Sequence, residues 1–195
     1  MKRVFIIISA VLMVAIISLL VTLTQVNKNV NIKFDEPEKI YIYNESTNPT
    51  KNDGYSKTDE AYAELVKKIN NMTNMSLFER LVKLKTLDTQ IEQSKDGTYV
   101  KWTSELKSKN LVIELDFGPN EQDMIIYENG NSRVISFYCI SYVIPKTSEI
   151  TDIIVYYSGT NDTTKREEHY AKCEPIVLKG YGAEIIKYIK SLNDK

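Results

Sequence analysis

The chain has 195 residues, a formal net charge of −1 and two cysteines. A nucleic-acid-binding domain concentrates lysine and arginine on one face, whereas acidic and basic residues are mixed here over short distances, as in DEPEK at 35–39 and KREEH at 165–169. This composition argues against a nucleic-acid partner. It is compatible with one ordinary globular domain of adequate size for a hydrophobic core.

The N-terminus carries 23 consecutive uncharged residues, from Val4 to Val26, directly after Lys2 and Arg3. As a helix this run would reach roughly 34 Å, more than the hydrocarbon core of about 30 Å. Positive residues before an apolar run keep the N-terminus on the cytoplasmic side. The pattern predicts a signal-anchor over residues 1–27 that spans the membrane with residues 4–26.

Cleavage of this segment is the alternative. A cleaved signal peptide has an apolar region of about 7–15 residues followed by small residues, and LLVTLTQVNKN at 19–29 is mostly bulky. We expect the anchor to be retained. If it is cleaved, the domain is secreted instead.

The first half of the domain shows a strand followed by helices. Residues 28–37 are expected to be a polar tether, and residues 38–195 the extracytoplasmic domain. EKIYIYN at 38–44 alternates as a strand that is buried on one face. Apolar residues at helical spacing predict a helix from Ser56 or Thr58 to Met72, and SLFE opens a second helix that runs from Ser76 to Leu87.

The second half is expected to be mostly strands. Asn129-Gly130 between two apolar runs predicts a β-hairpin, and Val134–Ile144 is apolar on both faces, as in a central strand. Further strands are predicted at 111–117, 152–158 and 165–172, the last an edge strand, and a final helix at Glu184–Leu192. The order of elements predicts an α+β fold in which one mainly antiparallel sheet has about three helices packed on one face.

The two cysteines leave two alternatives open. Outside the cytoplasm, Cys139 and Cys173 could form a disulfide if their Cα atoms lie within about 7 Å. Otherwise both behave as small apolar residues.

The sequence contains no motif that assigns a catalytic, cofactor-binding or metal-binding residue. The single histidine, His169, matches no zinc-ligand spacing, and the glycines form no phosphate-binding loop. A cell-envelope hydrolase that uses paired carboxylates is the alternative function, because such a pair requires no motif.

Aromatic residues give the remaining indication of function. Tyrosine is favoured in interfaces and also suits half-exposed strands. Five tyrosines on predicted strands form the expected contact surface: Tyr41, Tyr43, Tyr138, Tyr142 and Tyr156.

Three stretches together show a resemblance to a group of proteins: MKRVFIIISAVLMVAIISLLV, PEKIYIYN and TDEAYAELVKKINNM. The chain resembles uncharacterised membrane-anchored or secreted α+β domains of low-GC Gram-positive bacteria over about its first 75 residues. The resemblance implies an envelope location and brings no catalytic residues. We expect a single-pass membrane protein that binds an envelope or extracellular partner non-covalently.

Overall fold

The computed structural model describes residues 2–25, 30–73, 102–128, 131–146 and 151–193. Its helices are α1 (Lys2–Gln25), α2 (Tyr62–Thr73), α3 (Ser104–Lys109), α4 (Arg166–Lys172) and α5 (Ala183–Asn193). Its strands are β1 (Val30–Lys33), β2 (Lys39–Asn44), β3 (Leu111–Asp116), β4 (Gln122–Glu128), β5 (Asn131–Phe137), β6 (Cys139–Ile144), β7 (Thr151–Ser158) and β8 (Ile176–Gly180). The expected α+β class is confirmed, while the second predicted helix, Ser76–Leu87, lies outside the described residues.

The strands form two sheets instead of the single sheet expected. One sheet has the order β2-β3-β6-β7-β8 and the other β1-β4-β5, and every described pairing is antiparallel. The predicted strand Val134–Ile144 is divided at Tyr138, whose N–H donates to Ser158 and whose carbonyl accepts from Phe117. These two hydrogen bonds, to a residue that follows β3 and to a residue of β7, fix the backbone at the position where the chain passes from one sheet to the other.

Helices α2 and α5 cover the first face of the five-stranded sheet. Leu65 and Ile69 of α2 and Ile185 and Ile189 of α5 are buried against that face, together with the alternate strand residues that include Ile40. Each fully buried aliphatic side chain of this size contributes roughly 1.5–3 kcal/mol through the hydrophobic effect. The 3.6-residue period of α2 and α5 was therefore interpreted correctly. Strand β2 is confirmed as a strand, but it was predicted to be buried on one face only, and Tyr43 is buried on the other face.

Helices α3 and α4 cover the second face. The prediction of about three helices on one face therefore holds for α2 and α5, but it missed the helices on the other face. Apolar residues of the strands, such as Val112 and Val143, also point to this side. Trp102 before α3, Leu106 within it and Tyr170 of α4 shield them from water. Strand β6 is buried along its whole length, as expected for a central strand covered on both sides.

The segment KREEHYAK is helical, which corrects the predicted edge strand at 165–172. Arg166 and Tyr170, four residues apart, lie on the same face of α4 and are buried. Glu168 and Lys172 form an ion pair on the solvent side with the same spacing. A strand would have placed Arg166 and Tyr170 on one face together with Glu168, which is exposed here.

The β4–β5 hairpin is confirmed, since Glu128 pairs with Asn131 across the two residues 129 and 130. The predicted tether at 28–37 is shorter than expected, because residues 30–33 form β1 and pair with β4. Among the described residues, the helices do not combine the length and apolar character that a membrane crossing requires.

The loop between β2 and α2 is held by Asp59. Its carboxylate pairs with the Lys51 ammonium and accepts hydrogen bonds from the Ser56 backbone N–H (2.8 Å) and hydroxyl (3.1 Å). The bond with Lys51, followed by the one from the Ser56 backbone, lowers the pKa of Asp59 from 3.8 to about 2. The loop therefore depends on an ionised Asp59.

We expect Asp59 in the folded chain to titrate at about 2. Because its pKa is lower in the folded state than the ordinary 3.8, its stabilising contribution is present above that ordinary value and is lost as the pH falls through about 2. Carboxyl-selective NMR titration measures this value directly. The variant Lys51→Ala should move the pKa of Asp59 back toward 3.8, and an unchanged value would contradict the assigned cause.

Candidate functional site

The strand register places four polar side chains together on the second face of the five-stranded sheet. Glu114 and Asp116 are two residues apart on β3 and point to the same side. On the neighbouring strand, Ser141 lies opposite Glu114 and Cys139 lies opposite Asp116. This polar group is buried beneath α4.

Helix α4 inserts Arg166 and Tyr170 into this group. The Arg166 Nη1 donates to Glu114 Oε1 at 2.8 Å, and Nη2 lies 3.0 Å from Asp116 Oδ2 in a contact that is an ion pair without hydrogen-bond geometry. The Tyr170 hydroxyl donates to the second Glu114 oxygen at 3.2 Å, and the Ser141 hydroxyl to the same oxygen at 3.4 Å. We call these residues the buried ionic cluster: Glu114, Asp116, Cys139, Ser141, Arg166 and Tyr170.

The two carboxylates of this cluster are unsuited to acid–base catalysis. Glu114 is 4% exposed and Asp116 is 8% exposed, and a single guanidinium contacts both. A glycosidase pair must instead reach a bound substrate from both sides of the scissile bond. The cluster positions α4 on the sheet, and it offers no open pair of acids for the alternative hydrolase function.

The two cysteines are free thiols in the structure. Cys139 is fully buried, and its Sγ lies 2.8 Å from the Tyr170 hydroxyl oxygen, so it competes with Glu114 for the single hydroxyl proton. Burial, followed by the nearby Glu114 charge, raises the pKa of Cys139, and burial also raises the pKa of the half-buried Cys173. Because the thiolate is the nucleophilic form, neither residue is suited to nucleophilic catalysis. Their pairing in the oxidised chain stays a prediction.

Alkylation of the folded chain should modify Cys173 well before Cys139. The higher burial of Cys139 limits reagent access and keeps its thiol protonated, so we expect its rate to be at least about tenfold lower. Iodoacetamide treatment followed by peptide mass spectrometry measures both rates, and urea should abolish the difference. Equal rates in the folded chain would contradict the assigned environment of Cys139. A gain of two hydrogens in intact mass upon reduction would instead reveal the disulfide.

A buried lysine lies beside the ionic cluster. The Lys107 ammonium is 4.2 Å from the ring centroid of Tyr43 and 5.5 Å from that of Trp102, and it pairs with Glu167 at 2.5 Å. Thr103 accepts from the Leu106 N–H at 3.2 Å and thereby caps α3. Cation–π contacts and the ion pair compensate the partial desolvation of Lys107. This arrangement holds α3 against α4 and the edge of the sheet.

The five tyrosines of the predicted contact surface do not lie on one surface. Tyr43 and Tyr156 are buried on the second face of the sheet, while Tyr142 is buried in the core of the first face. Tyr41 and Tyr138 are half-buried. In a two-sided sheet, strand tyrosines pack under helices on both faces, which the sequence alone did not indicate.

Two other tyrosines are accessible beside α2 and α5. Tyr55 lies before α2 with the Lys51 ammonium 5.3 Å from its ring centroid, and Tyr188 of α5 has the Lys68 ammonium at 5.6 Å. Burial, followed by the Glu64 carboxylate, raises the pKa of Tyr188. We call Lys51, Tyr55, Lys68 and Tyr188 the tyrosine–lysine surface. Tyrosine is enriched in contact surfaces, and here its two half-buried rings are the basis for considering this surface.

Residues near His169 do not form a metal site in the part of the chain that the structure describes. No group of three or more histidine, cysteine, aspartate or glutamate side chains there could hold a metal ion. His169 is half-buried on α4.

Sequence reasoning missed the buried ionic cluster, although one indication was present. Glu114 and Asp116 interrupt an otherwise apolar strand at a spacing of two residues, and such acids require a buried cation.

The searches for related proteins support no family assignment: no family model matches the chain, and no curated protein or solved structure shows significant similarity to it.

Proposed function

We propose that this chain is a single-pass membrane protein with a cytoplasmic N-terminus, whose α+β domain lies outside the cytoplasm and binds an envelope or extracellular partner non-covalently. None of the described helices meets the requirement for a membrane crossing. The proposal is supported instead by the uncharged N-terminal sequence and by the exposure of the apolar side chains of α1.

The observation that carries the proposal is the exposure of α1 on every side. The exposed apolar side chains, between 37% and 64% accessible, are Ile8, Val11, Leu12, Met13, Val14, Ile16, Ile17, Leu19 and Val21. At 100° per residue these positions surround the helix axis. A helix on a globular domain buries one apolar face and exposes a polar one. Apolar side chains exposed on every side of a helix favour a surrounding apolar medium, which a lipid bilayer would provide.

The binding activity is supported by the chemistry of the second sheet face and by the tyrosine–lysine surface. The clustered acids Glu114 and Asp116 are engaged by Arg166, which weakens the case for the hydrolase alternative. Tyr55 and Tyr188 retain partial exposure and a neighbouring cation each. The tyrosine–lysine surface is therefore our candidate for the contact with the partner.

The experiment that tests the anchor uses native membranes. After alkaline carbonate extraction, the chain should stay with the membrane, and its intact mass should include the residues before 27. Protease added outside intact cells or spheroplasts should digest the domain and spare the N-terminus. Release by carbonate would overturn the anchor, and a mass that begins near residue 27 would establish the secreted alternative.

The binding function is tested separately. Photo-crosslinking from position 188 should give a defined adduct with an envelope component, and crosslinking from the exposed Glu168 on α4 serves as the control. Turnover of a broad panel of hydrolase substrates by the purified chain would overturn a purely binding function.

A further inference from the structure

The chain between α1 and the domain is short. Helix α1 ends at Gln25 and β1 begins at Val30, which leaves only residues 26–29 between them. Five steps of at most about 3.6 Å limit the distance between the Cα atoms of Gln25 and Val30 to about 18 Å. Because β1 is hydrogen-bonded to β4, the three-stranded sheet cannot move farther than this from the end of α1.

The strand register then fixes which part of the sheet lies next to the tether. Asn31, the second residue of β1, lies opposite Ile125 of β4, and Ile125 lies opposite Val134 of β5. Neighbouring strands are about 4.8 Å apart, so the Cα atom of Val134 lies about 10 Å across the sheet from that of Asn31. The Cα atom of Val134 is thus held within about 32 Å of the end of α1.

The outer face of this sheet has an apolar centre. Ile135 and Phe137 of β5 point to the core, whereas Val134 points outward and is 59% exposed. Outside α1, Val134 is the only large apolar side chain that is exposed among those whose burial the structure describes. Its cross-strand neighbour Ile125 points to the same side and is half-buried.

We propose that the outer face of the β1-β4-β5 sheet, centred on Val134 and Ile125, rests on the surface of the bilayer that holds α1. This inference rests on the proposed function, since it requires α1 to be in a membrane. The bilayer is the occupant because the tether confines this face to the vicinity of the membrane surface. The exposed Val134, together with the accessible part of Ile125, would gain free energy by entering the region between headgroups and acyl chains. The domain would then be docked in one orientation and would present its five-stranded sheet away from the lipid.

The test measures lipid contact in the full-length chain. We would introduce Val134→Cys in a Cys173→Ser background, because Cys139 is fully buried. The thiol is labelled with an environment-sensitive fluorophore. The protein is reconstituted in vesicles of phosphatidylethanolamine and phosphatidylglycerol with bromine on the acyl-chain carbons nearest the headgroup.

The matched control is Thr47→Cys in the same background. Thr47 is exposed and lies three residues after the end of β2. The last residue of β2, Asn44, lies opposite Leu111 of β3, and Leu111 lies opposite Ile144 of β6. Asn44 and Ile144 belong to the five-stranded sheet, whereas Val134 belongs to the three-stranded sheet. The control therefore reports on the five-stranded sheet and not on the face proposed to contact lipid.

We expect brominated lipid to quench the fluorophore at 134 at least about twofold more than the fluorophore at 47. Flotation of the same vesicles shows whether the chain is anchored. Floating vesicles with equal quenching at both positions, or with quenching at neither, would overturn the docked orientation and leave the anchor intact. A blue-shifted emission at 134 without quenching would identify contact with protein instead of lipid. Chain that fails to float would overturn the proposed function itself.

Discussion

Replacing Arg166 with Met is expected to lower the free energy of unfolding by about 3–5 kcal/mol, because removal of one partner leaves buried charges uncompensated. The guanidinium contacts Glu114 and Asp116, and all three residues are less than a tenth exposed. Urea unfolding in mild detergent can be followed through Trp102, the single tryptophan of the chain. Its ring centroid lies 4.6 Å from that of Tyr170, so its emission reports on α4 directly.

Two variants separate this explanation from a general loss of packing. Lys165→Met changes the adjacent, exposed cation, and we expect a change within about 0.5 kcal/mol. Combining Arg166→Met with Glu114→Gln and Asp116→Asn removes the uncompensated charges and should recover at least about 1 kcal/mol. A loss below about 1 kcal/mol for Arg166→Met alone would show that the ion pairs do not position α4.

Local patterns predicted the parts of the fold that depend on neighbouring residues. The alternation in β2, the apolar face of α2 and the two-residue hairpin after Glu128 each follow from a short stretch of sequence. The periodicity and turn preferences behind them act within a few residues, whereas the predicted start of α2 at Ser56 or Thr58 is wrong, since the helix begins at Tyr62. For these elements the sequence was sufficient.

Helix α4 could not be predicted in the same way. Seven residues are too few for helical periodicity to exclude a strand. The burial of Arg166 depends on Glu114, which is 52 residues away in the sequence. Without that contact, a charged segment with one histidine is equally compatible with an exposed edge. The spacing of four residues between Arg166 and Tyr170 indicates a helix only when the buried sheet face that both side chains contact is known.

The division into two sheets has a similar origin. The run from Val134 to Ile144 contains no glycine or proline that would interrupt a strand. The break at Tyr138 coincides with its hydrogen bonds to Phe117, which follows β3, and to Ser158 of β7, both distant in the sequence. The same non-local packing buries Tyr43, Tyr142 and Tyr156 and removes them from the contact surface that the sequence predicted.

Replacing Phe137 with Ala is the second large effect that we expect, a loss of about 3–5 kcal/mol in the free energy of unfolding. Phe137 is fully buried at the last position of β5. Its ring centroid is 5.8 Å from that of Phe117, and Phe117 is 5.4 Å from Phe34, which follows β1. The three rings join the two sheets, and truncation leaves a cavity at their junction. Val134→Ala on the same strand removes exposed atoms and should cost less than about 1 kcal/mol.

The position of this junction also predicts which strands lose the most stability in Phe137→Ala. If the aromatic contacts hold the β1-β4-β5 sheet to the rest of the domain, amide hydrogen exchange in Phe137→Ala should accelerate more in β4 and β5 than in β3 and β6. Equal acceleration in all four strands would instead show that both sheets open as one cooperative unit. Since β1 follows α1 after residues 26–29, preferential opening would also separate α1 from the five-stranded sheet. Phe137 would then be the residue through which the three-stranded sheet is held to the rest of the domain.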